Sequence, residues 1–544
     1  MQTSITKNTE RPVTRSMTKK RRRTEEKVDL LSKSTHKSVP KEKFSFEGTE
    51  LPPEISLQIA SLQERILEPL VKKLLHSHQL KVLPKGTELS EELVSKFSKK
   101  HKSNKKNKLS EQVVSDLPLN YVSERRDMAS SLNYTYSHTL DRTPYPTNQM
   151  HSGRCWLFAG LNSIRLELIK QFNLPDHFEL SQSHLFFHDK FERCNYLMEE
   201  LISLRDRDYN DEVVHALMGY ASTLDDGGHW SFFKNLVTKY GVMPKNNYEE
   251  SYNTSYTNTM NEVLKKKVTQ FLLETKDSSL TDEQLRELKD NKFLPDIYSL
   301  LCKFMGEPPS KFDWSYYEDN YGHNGAKTQR VLKDLTPVQF YQEFVEPSYN
   351  IEQKIMIVHD PREERALYNH YRVPYSANMV GGDPNILVTV SLDDMKEAAI
   401  RSIKAHKSMW IACDVGKDFN HDRDLLSTEI FDYDLALNTK LGMSKADQLK
   451  YRVSCPSHAM LLVGVDLDEA TKPRKWRIEN SWGAEAGHDQ GYLQMSDKWF
   501  DNYMYYLVVD RQFLSEEVLE AINENDLEVS DIPFNDPFGA VAKN

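Results

Sequence analysis

The sequence predicts an α+β protein with a helical lobe, a β-rich lobe and a helical segment between them. In the first half, apolar residues recur three or four positions apart, as at Leu157, Leu161, Ile164 and Leu168, which indicates helix. Residues 246–336 are charged, poor in Gly and locally helical. The last third instead holds short apolar runs bounded by Gly, Asp and Asn, which are typical of strands: ILVTVS, MWIACDV, HAMLLVGVD, KWRIEN and YYLVVD. Helices and strands separated along the chain in this way favour an α+β fold.

Composition limits the class of protein. The 544 residues, 38% of them hydrophobic, are enough for a sizeable core. No apolar run approaches the ~18 residues that a membrane-spanning helix needs. The N-terminal stretch MQTSITKNTERPVTRSMTKKRRR has no apolar core of the secretory kind. We therefore expect a cytoplasmic protein without membrane contacts.

Cysteine usage points to free thiols. The five cysteines are widely scattered, and no two of them form a C-x-x-C pair: Cys155, Cys194, Cys302, Cys413 and Cys455. This spacing argues against a disulfide framework and against a zinc site. We expect free thiols in a reducing compartment, with no metal and no cofactor.

Charge is unevenly distributed along the chain. Residues 1–108 carry 25 Lys and Arg against 13 Asp and Glu, whereas the rest carries 46 against 68. We interpret residues 1–108 as a basic, partly disordered extension, with a helical pattern from Ile55 to Leu74 and an exposed linker at 99–108. A nuclear signal, a mitochondrial presequence and a flexible appendage all stay open for this extension. Its basic runs could also bind nucleic acid non-specifically.

One cysteine occupies an unusual position. The stretch NQMHSGRCWLFAG places Cys155 where a polar loop becomes a predicted helix. A helix N-terminus stabilises a thiolate, the nucleophilic form of cysteine, through the helix dipole and its free N–H groups. Cys155 is therefore a candidate nucleophile, although most helical cysteines are buried structural residues.

Other stretches supply partners for such a nucleophile. SHAMLLVGVD places His458 at the head of a predicted strand, where a histidine can take a thiol proton and return it to a leaving amine. KWRIENSWG places Asn480 at the end of another strand, where its oxygen can orient the imidazole, and Trp482 can shield that bond from water. Gln149, six positions before Cys155, can join the Cys155 N–H in stabilising an oxyanion.

Together these motifs resemble those of the papain-like cysteine peptidases, and more narrowly those of the bleomycin hydrolase and aminopeptidase C family. The supporting stretches run in order from about residue 110 to the end: ELSQSHLFFHDKFERCNY, DDGGHW, KYGVMPK, NMVGGD, HAM, DKWFDNYMYYLVVDR and DPFGAVAK. The 303 positions from Cys155 to His458 exceed the ~130–150 of a compact papain-type domain. That difference leaves room for an inserted domain.

The resemblance implies a two-lobed, papain-like fold with one insertion. The helical lobe with the nucleophile is expected at 109–245, and an inserted helical domain that mediates assembly into a homohexamer at 246–336. The β-rich lobe with the histidine and asparagine is expected at 337–530. Residues 531–544 are expected to form a C-terminal arm that enters the active-site cleft.

The resemblance also implies an activity and its site residues. It implies a thiol acyl-enzyme mechanism with Cys155, His458 and Asn480 as the catalytic residues and Gln149 in the oxyanion hole, without metal or cofactor. Substrates would be peptides with a free N-terminus, and bleomycin-like amides. Three further residues are expected to contact the substrate alongside Trp482: Gly227 and Gly228 by close backbone approach, and Asn544 through the terminal carboxylate.

Two alternatives to an aminopeptidase come from the same residues. A scaffold protein on a papain-like fold is disfavoured because no catalytic side chain is missing. A nucleic-acid-binding protein is suggested by the basic runs KKRRR and KKHKSNKKNK, but such runs are more often solvated tails or localisation signals.

Overall fold

The computed structural model describes part of the chain: residues 88–207, 211, 213–214, 217, 224–276, 278–319, 327–485, 489–523, 529–533 and 536–539. Residues 1–97 and 98–544 form two separate compact units. The first contributes only residues 88–97 to the description, and the second contains the sheets and the candidate site described below. The helical pattern from Ile55 to Leu74, the basic runs before residue 88 and the terminal Asn544 lie outside the described residues.

The helices are concentrated before residue 306. In chain order they are α1 (Glu91–Ser103), α2 (Lys105–Val114), α3 (Leu119–Ser123), α4 (Arg126–Ser130), α5 (Cys155–Phe172), α6 (Gln182–Ser203), α7 (Trp230–Tyr240), α8 (Tyr252–Ser255), α9 (Asn258–Thr275), α10 (Asp282–Leu288) and α11 (Leu294–Met305). Shorter and more dispersed helices follow: α12 (Pro337–Phe340), α13 (Leu392–Lys404), α14 (Tyr433–Leu437), α15 (Lys445–Lys450), α16 (Asp497–Tyr503) and α17 (Glu516–Asn523).

The strands lie almost entirely in the second half. They are β1 (His138–Thr139), β2 (Phe312–Asp319), β3 (Lys327–Leu335), β4 (Lys354–Val358), β5 (His370–Arg372), β6 (Ile386–Thr389), β7 (Met409–Cys413), β8 (Phe419–Asn420), β9 (Leu425–Leu426), β10 (His458–Leu467), β11 (Pro473–Glu479), β12 (Tyr492–Ser496), β13 (Met504–Asp510) and β14 (Ser530–Asp531). Within the described residues, twelve of them pair in the order β14-β5-β6-β4-β13-β7-β10-β11-β12-β9-β8, with β1 added beside β10. The predicted α+β class is confirmed.

Helix α5 is the core of the helical lobe. Every residue from Cys155 to Arg165 is buried. Gly160 allows helix α7 to come close, because a Cβ atom at this position would lie 2.7 Å from the ring of Phe233. The helix ends at Asn173, which adopts the left-handed conformation that asparagine tolerates. The helix predicted to begin at Cys155 is therefore confirmed, and dense packing fixes its N-terminus.

Strand β10 is the centre of the β-rich lobe. It pairs antiparallel with β7 on one side and with β11 on the other. All of its residues except Asp466 are buried. The five apolar runs predicted as strands correspond to β6, β7, β10, β11 and β13. Since the ends of β10 and β11 carry His458 and Asn480, the sheet order alone makes these two residues neighbours.

Two sequence expectations were wrong in local detail. The linker expected at 99–108 is helical, because lysine is a good helix former and the Asn104 side chain caps α2 by accepting from the N–H groups of Lys106 and Asn107. The stretch 246–336 is not helical throughout, since β2 and β3 form an antiparallel hairpin there. Within the described residues, no helix combines the length and the apolar character needed to span a membrane.

Candidate active site

The thiol of Cys155 is enclosed at the junction of the two lobes. Cys155 is the first residue of α5 and is 0% exposed. Its sulfur accepts a hydrogen bond from the N–H of Ala459 at 3.4 Å. Burial raises the pKa of Cys155 to about 11, although the N–H groups of Ala459 and Trp156 oppose that shift.

His458 and Asn480 form a buried hydrogen-bonded pair. Nε2 of His458 lies 2.8 Å from Oδ1 of Asn480, and each residue is 2% exposed. The N–H of Ser481 donates to the same oxygen at 2.8 Å. Because this oxygen can only accept, Nε2 carries the proton and Nδ1 is left as the acceptor of the neutral imidazole. Burial lowers the pKa of His458 to about 4, although the bond to Asn480 acts in the opposite direction.

Trp482 covers this pair. The centres of the His458 and Trp482 rings are 5.2 Å apart, and the rings are inclined by 33°. The bulk of the indole therefore restricts the access of water to the bond between His458 and Asn480. The isolated bridge between Trp482 and Asn148 fixes the strand end beside the loop that leads to the nucleophile. The position agrees with the shielding expected from the sequence.

The side chain of Gln149 lies in the same buried layer. Its Nε2 donates to the carbonyl oxygen of Ser152 at 2.6 Å, and its Oε1 accepts from the hydroxyl of Ser481 at 2.7 Å. The main-chain N–H of Gln149 also donates to the carbonyl of Ser481 at 2.8 Å. One hydrogen of the amide is left for another acceptor. Sequence patterns did not identify Ser481, although it is the residue that orients the Gln149 amide.

A buried ion pair links the nucleophile helix to the strand that carries Asn480. The guanidinium of Arg165 on α5 contacts the carboxylate of Glu479 on β11 at 2.8 Å, and both side chains are 1% exposed. Asn162 donates to the same carboxylate at 3.0 Å. Burial raises the pKa of Glu479, and Arg165 opposes that rise. Breaking such a pair leaves an uncompensated buried charge, so it fixes the relative position of helix and strand.

The glycine segment lies directly against the residue after the nucleophile. A Cβ atom at Gly228 would be 2.5 Å from the indole of Trp156, so only glycine fits there. The indole N–H of Trp156 donates to the carbonyl oxygen of Asp226 at 2.7 Å. Gly227 is partly exposed. The structure thus brings both predicted glycines next to the start of α5.

Of the eight predicted site residues, the structure brings seven together. The eighth, Asn544, lies outside the described residues, which end at Gly539. The last described turn, Pro537–Gly539, is buried at Pro537 and Phe538. No group of three metal-ligating side chains occurs in the described part of the chain.

Comparison with known proteins gives the family. The model of the Peptidase C1-like family matches residues 88–539. The chain belongs to this family. Bleomycin hydrolase of Mus musculus is 35% identical to this member of the Peptidase C1-like family, over 84% of this chain and 99% of its own length. Aminopeptidase C of Streptococcus thermophilus is 34% identical, also over 84% of this chain and 99% of its own length.

A solved structure supports the same assignment. The crystal structure of PepW from Lactobacillus rhamnosis HN001 matches with a TM-score of 0.78 at 33% identity, covering 84% of this chain and 100% of that one. The predicted resemblance and the papain-like fold are confirmed, and this member of the Peptidase C1-like family is a cysteine peptidase. The family match begins at residue 88, so it includes helices α1 and α2. The comparisons do not support the nucleic-acid-binding alternative.

Proposed function

We propose that this peptidase is a cysteine aminopeptidase that removes N-terminal residues from peptides and hydrolyses bleomycin-like amides. Cys155 is the nucleophile, His458 the general base and acid, and Asn480 the residue that orients the imidazole. The observation that carries this assignment is the buried hydrogen bond of 2.8 Å between Nε2 of His458 and Oδ1 of Asn480. The next residue of the strand, Ala459, donates its N–H to the Cys155 sulfur. The named relatives support the aminopeptidase activity.

The reaction proceeds through a thioester. The Cys155 sulfur attacks the carbonyl carbon of the first peptide bond as its proton passes to Nδ1 of His458. The tetrahedral intermediate collapses, the C–N bond breaks, and the leaving amine takes the proton back from His458. A water molecule, deprotonated by His458, then attacks the thioester, which releases the amino acid and restores the thiol.

The oxyanion of each tetrahedral intermediate needs donors that are already in place. The N–H of Cys155 is one such donor, because it is at the free end of α5. The remaining amide hydrogen of Gln149 is the other, since contacts with Ser152 and Ser481 fix the side chain on both sides. Fixed donors stabilise the developing charge without reorganisation, and one of them is worth ~10²–10³ in kcat.

The substrate backbone is proposed to lie along Gly227 and Gly228. Gly227 is partly exposed and has no side chain that would separate an incoming peptide from the main chain, and the packing of Gly228 on Trp156 places this segment beside the nucleophile. Trp482 forms the opposite wall over the histidine. A peptide would therefore enter as an extended strand between these two surfaces.

The preference for a free N-terminus is assigned to the C-terminal arm. We call Asp536 and Phe538 with their partners the C-terminal anchor. Asp536 accepts from both terminal nitrogens of Arg362, at 3.0 and 3.1 Å, and from Arg365 at 2.9 Å. Phe538 is 1% exposed, and its carbonyl oxygen accepts from the hydroxyl of Tyr506 at 3.1 Å.

The anchor lies close to the glycine segment. The ring of Tyr506 is 6.4 Å from that of His229, which directly follows Gly228. An arm that continues from this anchor would bring the terminal carboxylate of Asn544 into the cleft. There the carboxylate would pair with the amine of a bound peptide. It would also exclude chains that extend further upstream, which converts an endopeptidase site into an aminopeptidase site.

Assembly and location complete the proposal. We infer a homohexamer in which residues 246–336 mediate subunit contacts, with residues 109–245 and 337–530 as the two catalytic lobes. We place this enzyme in the cytoplasm, with nuclear or mitochondrial routing left to residues 1–108. Non-specific binding of nucleic acid by that basic extension is a secondary candidate, supported only by its excess of Lys and Arg.

Matched substrates test the proposed activity. A fluorogenic peptide with a free N-terminus should be cleaved, its N-acetylated form should not, and a thiol-directed epoxide should block turnover by modifying Cys155. Deletion of residues 537–544 should admit the acetylated peptide. An unchanged ratio of the two rates after deletion would refute the arm assignment alone. No cleavage of either peptide by the full chain would refute the proposed activity itself.

A further inference from the structure

Asp226, immediately before the glycine segment, is a buried carboxylate that the mechanism above does not use. It is 7% exposed, and each of its oxygens has two donors. Oδ1 contacts the ammonium of Lys190 at 2.9 Å and the amide of Asn261 at 2.7 Å. Oδ2 accepts from the main-chain N–H of Gly153 at 3.1 Å and from the hydroxyl of Thr257.

These donors belong to different parts of the fold. Lys190 is on helix α6, whereas Thr257 and Asn261 are at the start of helix α9 in the proposed insertion. Gly153 is in the loop between Gln149 and Cys155. One side chain therefore joins the nucleophile loop, the body of the helical lobe and the insertion to the segment that carries Gly227.

The main chain around Asp226 is fixed as well. The carbonyl oxygens of Leu224, Asp225 and Asp226 each accept from a buried side chain: Lys190 at 2.6 Å, Arg193 at 3.2 Å and Trp156 at 2.7 Å. The segment can therefore shift only together with helices α5 and α6. The bond to Gly153 is the additional contact that couples it to the loop before the nucleophile.

Charge makes this contact persistent. Burial disfavours the Asp226 carboxylate, but Lys190 and the hydroxyl and amide donors outweigh that effect and lower its pKa. The group is therefore ionised throughout the range in which a peptidase works. A charged acceptor forms a stronger hydrogen bond with the Gly153 N–H than a neutral one would.

We propose that Asp226 is a positioning residue for the peptidase reaction, and this inference rests on the proposed function. Its carboxylate holds the loop that carries Gln149 and leads to the Cys155 N–H at a fixed distance from the glycine segment. That segment receives the substrate backbone. The oxyanion donors and the bound peptide thereby keep their alignment. A displacement of about 1 Å between such groups costs about 10²-fold in rate.

The test compares Asp226→Ala and the milder Asp226→Asn with Asp510→Ala. Asp510 is the control because it forms an ion pair with Lys354 at 2.8 Å, in which the side chains are 15% and 6% exposed, and it has no assigned role in the reaction. We expect all variants to melt earlier than the parent. Only the Asp226 variants should lose about 10²-fold in kcat/KM for the free-amine peptide, with Asp226→Asn less affected.

Two readouts separate positioning from general destabilisation. Alkylation of Cys155 by iodoacetamide needs only the sulfur and should stay unchanged or become faster in Asp226→Ala. Inactivation by the vinyl sulfone of a single amino acid with a free amine should instead slow in parallel with kcat/KM. Exchange of the Gly153 amide hydrogen should become faster only in the Asp226 variants. Equal losses with both reagents, an equal loss in Asp510→Ala or unchanged Gly153 exchange would overturn the proposal.

The two proposals fail in different ways. If the parent protein hydrolyses no peptide, the proposed function is wrong, and the exchange of Gly153 still reports whether Asp226 holds the loop. If the parent is active and Asp226→Ala retains full kcat/KM while folded, the positioning role is wrong and the function stands.

Discussion

The main-chain N–H of Ala459 donates to the sulfur of Cys155 at 3.4 Å, although 304 positions separate the two residues. Ala459 follows His458 at the head of β10, and Cys155 begins α5. The contact therefore joins the second residue of a central strand to the first residue of a buried helix. Nucleophile and base are placed by the packing of two rigid elements and do not depend on a loop.

Replacing Cys155 by Ala should abolish turnover, with a loss of at least ~10⁴-fold in kcat. The fold should persist, because the new side chain is smaller and the sulfur accepts only from main-chain N–H groups such as that of Ala459. Steady-state kinetics together with thermal melting would check both expectations. Cys302→Ser is the control, since Cys302 is a partly exposed thiol on α11. A comparable loss of activity in that variant would contradict the assignment of the nucleophile.

His458→Ala should cost more activity than Asn480→Ala. The histidine transfers the proton, and a general base contributes ~10²–10⁴-fold. The asparagine only orients the ring, and the contact of Trp482 with the histidine remains after its removal. Comparison of kcat for the two folded variants would check the order. The reverse order would mean that Asn480 does more than orient the base.

Gln149→Glu should lower kcat by ~10²–10³-fold, and it should also lower the melting temperature, because a carboxylate oxygen would replace the donor to the carbonyl oxygen of Ser152. The variant keeps the size of the side chain and its acceptor for Ser481 but replaces the donor with a carboxylate facing the oxyanion. Ser481→Ala is the partner variant, because it removes only one of the contacts that fix Gln149. A smaller loss in Ser481→Ala than in Gln149→Glu is expected. Equal losses would indicate that the amide itself is not a donor to the oxyanion.

Acid should destabilise this protein in a defined range. Burial lowers the pKa of five histidines from the ordinary 6.5: to about 4 in His184, His359 and His458, and to about 3 in His188 and His229. Between pH 6.5 and these values the unfolded chain binds protons that the folded chain does not. The contribution of these histidines to the free energy of unfolding is therefore complete above pH 6.5. It falls as the pH falls, by up to about 1.4 kcal/mol per pH unit for each histidine.

Chemical denaturation at several pH values would measure this slope. His458→Gln should reduce it, because one of the five groups is then absent from both the folded and the unfolded state. His151→Gln is the control, since its side chain is exposed. A slope unaffected by His458→Gln would show that this histidine is not buried in its neutral form.

The sequence predicted the elements that carry the chemistry because their patterns are local. An apolar run after SGRC indicated a helix that begins at Cys155, and alternation in KWRIEN indicated a strand that ends at Asn480, one residue beyond the end of β11. The hairpin of β2 and β3 was missed because nearly all of β3 is exposed and most of its residues are polar or charged, which leaves little alternation to detect. Its pairing depends on Trp314 packing against the distant Phe340.

Contacts between distant residues could not be predicted in the same way. Ser481 was unremarkable in the sequence, since only the approach of Gln149 from 332 positions away gives it a role. Asp226 was not singled out in the sequence, where it only precedes the two glycines. Its function depends on donors from two helices and a loop that meet only in three dimensions. Such groups have no spacing rule because no single element contains them.

The C-terminal anchor has a consequence for how the protein is handled. In the proposed function, residues 540–544 run from this anchor toward the cleft, and an extended chain advances at most ~3.3–3.6 Å per residue. Residues fused after Asn544 would then lie where the amine of a substrate binds. A purification tag fused to Asn544 should act as a tethered competitive inhibitor, raising KM in proportion to its occupancy, and protease removal of the tag should restore activity. A tag placed at the N-terminus should leave the kinetics unchanged.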